Sequence, residues 1–228
     1  MSSVDNFKEW LNEGVNDPAI FKAIFMAGGP GSGKSYVQGN AIPSSAGFKV
    51  INSDDIFELK MKQADLELDP ETIYSPKGQE IRQASKKITA ARMRIYLQGR
   101  LGLVLDGTGK DLSKIKKQVK VLRESGYDCY MIFVNTSEEV ALDRNEKRPR
   151  KLPVEDVSKM WNAVQRNIGA FQNLFGSNNF MIVDNNKTND KVMNMAYKDI
   201  QKFSKKPIKN FIAKQWIENM KALARSKK

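Results

Sequence analysis

Ala27-Gly28-Gly29-Pro30-Gly31-Ser32-Gly33-Lys34-Ser35 is the stretch whose reading decides the fold. It fits Gly-x-x-x-x-Gly-Lys-Ser/Thr without a gap, the Walker A or P-loop pattern. The glycines let backbone N–H groups turn inward and approach phosphate oxygens with no Cβ in the way. A helix opening after Gly33 would point its positive N-terminal end at the same phosphates. The loop Gly28, Gly29, Pro30, Gly31, Ser32 and Gly33 is therefore expected to cradle ATP. Lys34 is expected on its β- and γ-phosphates and the Ser35 hydroxyl on Mg²⁺. The flanks agree with the motif: Phe21–Met26 is an apolar run that reads as a strand, and Lys34–Asn40 can open a helix.

Working outward, four more short apolar runs read as strands: Phe48–Asn52, Leu101–Leu105, Tyr130–Val134 and Phe180–Val183. Leu101–Leu105 is apolar throughout, as a strand buried on both faces should be. Helical patterns lie between them at Asp54–Gln63, Gln79–Gln98, Leu112–Glu124, Glu138–Glu146, Val154–Phe175 and Lys191–Phe203, the long one with an irregularity at Gly169. Val4–Asn12 can form a short amphipathic helix, and Asp65–Pro76, broken by Pro70 and Pro76, reads as a loop. Alternating strands and helices predict an α/β protein with a five-stranded, mainly parallel sheet covered on both faces. Ligands then bind beyond the C-terminal ends of the strands, where the P-loop, Asp54, Asp55 and Asp106 all fall.

Composition bounds the function. Among 228 residues, 38 Lys and Arg stand against 26 Asp and Glu, a net charge of +12, which favours polyanionic partners. The surplus is concentrated from Lys202 to Lys228, with nine basic residues against Glu218 alone. The same tail carries an apolar stripe of Phe211, Trp216, Ile217, Met220 and Leu223. Histidine is absent, so a general base must come from a carboxylate or a rarer group. The single cysteine, Cys129, forms no internal disulfide, and a cytoplasmic location is expected. No apolar run approaches the ~18–20 residues of a membrane span, and no secretory signal is expected at the N-terminus.

Two acids after the second strand, Asp54 and Asp55, are the candidate bases, since phosphoryl transfer to a hydroxyl needs a carboxylate to orient the acceptor. The same residues would also suit the first turn of a helix with no chemical role. Asp106 ends a buried strand, as the acid that supports Mg²⁺ does. Arg144, Arg148 and Arg150 surround the basic turn Lys147-Arg148-Pro149-Arg150-Lys151, either as charge stabilisers near a γ-phosphate or as a solvated loop.

From Phe21 to Asp184 these residues resemble known P-loop kinases. Gly47-Phe48-Lys49-Val50-Ile51-Asn52-Ser53-Asp54-Asp55 and Arg144-Asn145-Glu146-Lys147-Arg148 are similar to the phage polynucleotide 5′-kinases. That resemblance implies Asp54 facing the acceptor hydroxyl, with Arg144 and Arg148 on a lid over the phosphates. Leu103-Val104-Leu105-Asp106-Gly107-Thr108-Gly109-Lys110 is similar to the zeta toxins, kinases of UDP-N-acetylglucosamine, and adds Thr108 and Lys110 on the substrate side. In that alignment the acid falls on Asp55 instead. Phe57 stands where the polynucleotide kinases carry a substrate-contacting arginine, and Ala90 where the zeta toxins carry a substrate-binding glutamate.

Together these readings predict a three-layer P-loop kinase fold over residues 1–203, with a lid at about 144–153 and a basic helical extension over 204–228. ATP and Mg²⁺ are the expected cofactors. Arg82, with Arg92 and Arg94 on the same helix, points to a nucleic acid as acceptor. The alternatives are a nucleotide-linked small molecule such as UDP-N-acetylglucosamine, or a nucleic-acid-binding NTPase that switches on hydrolysis.

Overall fold

The computed structural model describes residues 15–42, 44–148, 151–187 and 189–226, with Ser44 described in its backbone alone. The amphipathic segment Val4–Asn12 and the turn residue Arg150 lie outside the described residues. Five strands form one sheet in the order β2-β3-β1-β4-β5. They are β1 (Lys22–Ala27), β2 (Lys49–Ile51), β3 (Leu103–Asp106), β4 (Asp128–Asn135) and β5 (Phe180–Asp184). Every pairing is parallel, so the sheet is parallel throughout. Central β1 is fully buried along its length, as its unbroken apolar run requires.

Alternation along the strands sends side chains to two cores. Ala23, Phe25, Leu103, Leu105, Met131 and Phe133 face one side. There they meet α5 (Leu112–Glu124), α7 (Val154–Gln165), α8 (Ile168–Phe175) and α10 (Phe211–Arg225). Ile24, Met26, Val104, Ile132 and Val134 face α1 (Lys34–Ala41) and α9 (Asp190–Lys205) on the other. A third, smaller cluster of Phe57, Met61, Ile73 and Ile81 joins α2 (Ser53–Gln63), α3 (Pro70–Tyr74) and α4 (Pro76–Gln98) beside β2. The remaining helix, α6 (Glu138–Glu146), follows β4. Among the described residues no helix is long and apolar enough to cross a membrane.

Two expectations are corrected. The segment Asp65–Pro76 is not all loop, because each proline there starts a helix. Asp69 and Ser75 are N-caps, accepting from Thr72 N at 2.9 Å and Gly78 N at 3.1 Å, and the proline after each takes the first helical position. Proline is favoured there because its missing N–H would have had no partner. The segment Val154–Phe175 is two helices, and the break falls at Arg166–Asn167 rather than at Gly169. Asn167 leaves the helical run to donate its amide to the carbonyls of Gly109 (2.9 Å) and Lys110 (3.2 Å), which anchors the turn after β3.

The C-terminal helix α10 belongs to the packing of the body. Ala213 is fully buried, and the Trp216 ring stands edge-on to Phe21 with centroids 5.6 Å apart. From Lys221 onward every described residue of this helix is exposed.

Candidate active site

The register brings the rim together. Met26 pairs with Asp106, so the carboxylate at the end of β3 lies beside the last turn of β1 before the P-loop. Gly28 N donates to Thr108 O (3.0 Å) and Gly107 N to Met26 O (3.2 Å), lacing the P-loop to the turn after β3. Gly33 is the N-cap of α1 with φ +82°, a conformation that favours glycine. Its surroundings also demand glycine, since a Cβ there would collide with the Asn185 amide and lie 3.6 Å from Arg144 Nη1. Gly31, at φ +76°, has no room for one against the Ala141 carbonyl. Gly29 lies under α7, where a Cβ would sit 3.5 Å from Trp161 Cα. Pro30 and Ser32 are buried in the loop, and Ser35 is exposed at the first turn of α1.

Lys34 donates to Gly28 O at 2.9 Å and has no ion-pair partner among the described residues. Burial holds its pKa below the usual lysine range, and nearby Arg148 pushes the same way, against the opposing pull of Asp106 and Asp54. Asp106 is raised by burial and by the neighbouring charges of Asp55 and Asp54, against the lowering effect of Lys34. Its Oδ2 accepts from Asn52 Nδ2 (3.1 Å), while its Oδ1 is buried and unpartnered. Buried oxygens without partners are rare in folded proteins.

Asn52 organises the acids. Its Oδ1 caps α2 by accepting from Asp54 N (2.8 Å), and its Nδ2 donates to Asp55 Oδ1 (2.8 Å) as well as to Asp106. Asp54 and Asp55 are thus the second and third residues of α2, and neither is its cap. Both are exposed at the rim, and desolvation, with Glu58 and Asp54 nearby, raises the Asp55 pKa.

Arg144, in the last turn of α6, reaches the P-loop, with Nη1 3.5 Å from Gly31 O and Nη2 3.5 Å from Asn186 O. Those are the outer limit of hydrogen bonding, so the guanidinium is lightly held. Arg148 follows four residues on, in the basic turn. Buried Asn145 closes that turn at its base, donating to Leu152 O (2.8 Å) and accepting from Leu152 N (3.1 Å).

The other three expected substrate residues make contacts within the protein. Thr108 acts through its backbone carbonyl. Lys110 leans on Met160, with Nζ 3.9 Å from the sulfur. Arg82 lies over the Phe57 ring at 4.7 Å, with its Nε buried and unpartnered. It sits on the α2–α4 side, and no hydrogen bond ties it to the P-loop.

Sequence reading missed Asn185, Asn52, Asn145 and Trp161. Asn185 is 3% exposed and donates to Ser32 O at 2.7 Å, pinning the P-loop from the end of β5. Asn185 and Asn52 follow strand ends, the same positional signal that marked Asp106. Trp161, whose Nε1 donates to Thr136 O at 2.9 Å, is placed by tertiary packing alone.

Among the described residues no cluster of three potential carboxylate, thiol or imidazole ligands exists. Mg²⁺ is commonly held by one or two protein groups together with phosphate oxygens. The orphaned Asp106 Oδ1 and the exposed Ser35 hydroxyl are the groups that fit it.

A parallel sheet in this order, with a P-loop, a half-buried acid at the end of β3 and an arginine from α6, defines a P-loop kinase fold. The zeta toxin family model matches residues 10–194, and the chain belongs to that family. Among solved structures, the PezAT toxin–antitoxin system of Streptococcus pneumoniae is similar at 14% identity, with a TM-score of 0.52. That match covers 89% of this chain and 98% of that one. The AvrRxo1-ORF1:-ORF2 complex with ATP is similar at 15% identity, with a TM-score of 0.55 and coverage of 78% and 61%. The Pnkp1/Rnl/Hen1 RNA repair complex is similar at 20% identity with a TM-score of 0.52. The likeness covers 66% of this chain, which spans less than half, 46%, of that one. Among curated protein sequences none is similar enough to count as a relative.

Proposed function

We propose that the chain is a Mg²⁺-dependent kinase that moves the γ-phosphate of ATP to a hydroxyl of a nucleic acid, at a 5′ end or on a hydroxylated base. One observation carries the kinase reading. Lys34, with no carboxylate partner among the described residues, converges with Asp54, Asp55, Asp106 and Arg144 on one rim beside a P-loop. Asp54 takes the proton of the acceptor hydroxyl as its oxygen bonds to the γ-phosphorus. The bond from that phosphorus to the β,γ-bridging oxygen breaks, and ADP leaves. Lys34 and Arg144 meet the charge spread over the transferring group. Mg²⁺, held by Ser35 and Asp106, would neutralise phosphate charge when bound. Residues 144–153 act as a lid that brings Arg144 and Arg148 over the phosphates and excludes water.

A nucleic acid is preferred because of the net charge of +12 and because Arg82 lies on the helix facing α2, which carries Asp54. Family membership favours a second reading, a kinase of UDP-N-acetylglucosamine or another nucleotide-linked small molecule, in which Asp55 is the base. Against it, position 90 is an exposed alanine with no polar group to offer a sugar. The protein acts in the cytoplasm on this reading. Incubation with γ-labelled ATP and DNA, RNA, nucleosides and nucleotide-sugars tests it. Label should enter DNA or RNA ends, whereas label in UDP-N-acetylglucosamine alone would put the second reading first. ATP hydrolysis with no labelled acceptor would point to a switch.

A further inference from the structure

At the N-terminal rim of the sheet, far from the P-loop, a cavity of about 810 Å³ lies between the start of β5 and the end of α9. Lys202, Lys205 and Lys206 line it together with half-buried Phe180, which packs at the edge of the core that holds Ala23 and Phe25. A second cavity of about 270 Å³ adjoins it, sharing Asn179 and Lys206 and adding Arg123. The carboxylates facing the pair of cavities are already engaged: Asp199 with Lys202 at 3.3 Å, and Asp128 with Lys22 at 2.6 Å. Lys205, Lys206 and Arg123 have no acid within ion-pair reach among the described residues. The C-terminus of α9 accounts for Lys202 and Lys205, since cations settle at the negative end of a helix. It does not account for Lys206, which lies past the last turn in extended backbone and lines both cavities.

We propose that this groove binds single-stranded nucleic acid, with phosphates against Lys205, Lys206 and Arg123 and a base on the exposed part of Phe180. Cations beside a partly open aromatic are what a single strand requires, since every base has a face to stack and every linkage a charge to neutralise. The groove is separate from the transfer site. β4 spans eight residues, or roughly 23 Å at ~3.3 Å per step, and Asp54 follows the strand at the opposite edge, four spacings of ~4.8 Å away. The straight diagonal is about 30 Å. A strand seated here is held at a distance from the rim where chemistry is proposed.

The test is fluorescence anisotropy of the full chain, without ATP, against a labelled 20-nucleotide single strand whose 5′ end is already phosphorylated. Such a strand cannot accept at that end. A failed groove therefore leaves the kinase reading standing, and a kinase of small molecules leaves the groove standing. Lys205→Glu/Lys206→Glu should weaken binding about tenfold or more, and the plot of log affinity against log salt should be shallower by about 1.4, at ~0.7 per single-strand phosphate contact. Lys116→Glu/Lys117→Glu, an equal charge change at exposed positions of α5, is the control and should alter affinity much less. Unchanged melting temperatures would show that both variants fold. Equal losses in the two variants would overturn the groove. So would poly-glutamate competing as well as the strand, which would assign the surface to an acidic protein.

Discussion

Each rim of the sheet has a lysine and an aspartate, and the fold uses the two pairs in opposite ways. At the N-terminal rim, Lys22 opens β1, Asp128 opens β4, and the two close on each other at 2.6 Å. The Lys22 side chain is 2% exposed and also lies 5.6 Å from the Phe203 ring centroid. At the C-terminal rim, Lys34 and Asp106 feel each other's charge but are held apart, Lys34 on a backbone carbonyl and Asp106 on Asn52. The first pair is structural, neutralised within the protein. The second keeps capacity for something not in the chain, with one carboxylate oxygen unpartnered and an ammonium whose charged form burial disfavours. A triphosphate and its cation would supply each with the missing partner.

The comparison breaks most sharply at Lys34. Lys34→Ala should cut phosphoryl transfer by several powers of ten and leave the melting temperature nearly unchanged. Near-normal turnover in a folded variant would remove the basis for calling this rim the active one. Next come the acids on α2. Asp54→Asn keeps the shape but cannot take a proton, and should lower kcat by ~10²–10⁴-fold with ATP affinity retained. If Asp55→Asn is the inactive variant, the small-molecule reading gains. Asn185→Ala unpins the P-loop and should raise the KM for ATP by roughly tenfold, with a smaller effect on kcat. At the other rim Asp128→Asn should leave transfer intact while stranding buried Lys22. A stability loss of about 2–3 kcal/mol is expected, below the usual figure for a fully buried pair because Asp128 is partly exposed. Thermal unfolding that does not move would mean that Lys22 finds another partner.

The sequence made one side of this contrast legible. The P-loop and the acids at strand ends could be read because each depends on local pattern, a glycine series or an apolar run followed by a carboxylate. The five strands were recognisable for the same reason. Asp69-Pro70 and Ser75-Pro76 misled because a proline that breaks a helix and one that begins it look alike without the cap geometry. The Asn167 break was invisible because its cause lies in Gly109 and Lys110, far away in sequence. The Lys22–Asp128 pair was hidden likewise, since its partners are 106 residues apart and meet only through the register of β1 and β4.

The bond from Asn185 to the P-loop also has a history in time. Its two ends are 153 residues apart, and the strand that delivers Asn185 is the last of the sheet. At ~5–20 residues per second, a ribosome takes roughly 8–30 s to pass from one to the other. Throughout that interval the nascent chain carries a complete nucleotide-binding motif without the residue that pins it. Only when β5 joins the sheet does the P-loop gain that bond, so the loop's final shape is expected to set late, after the other four strands have been made.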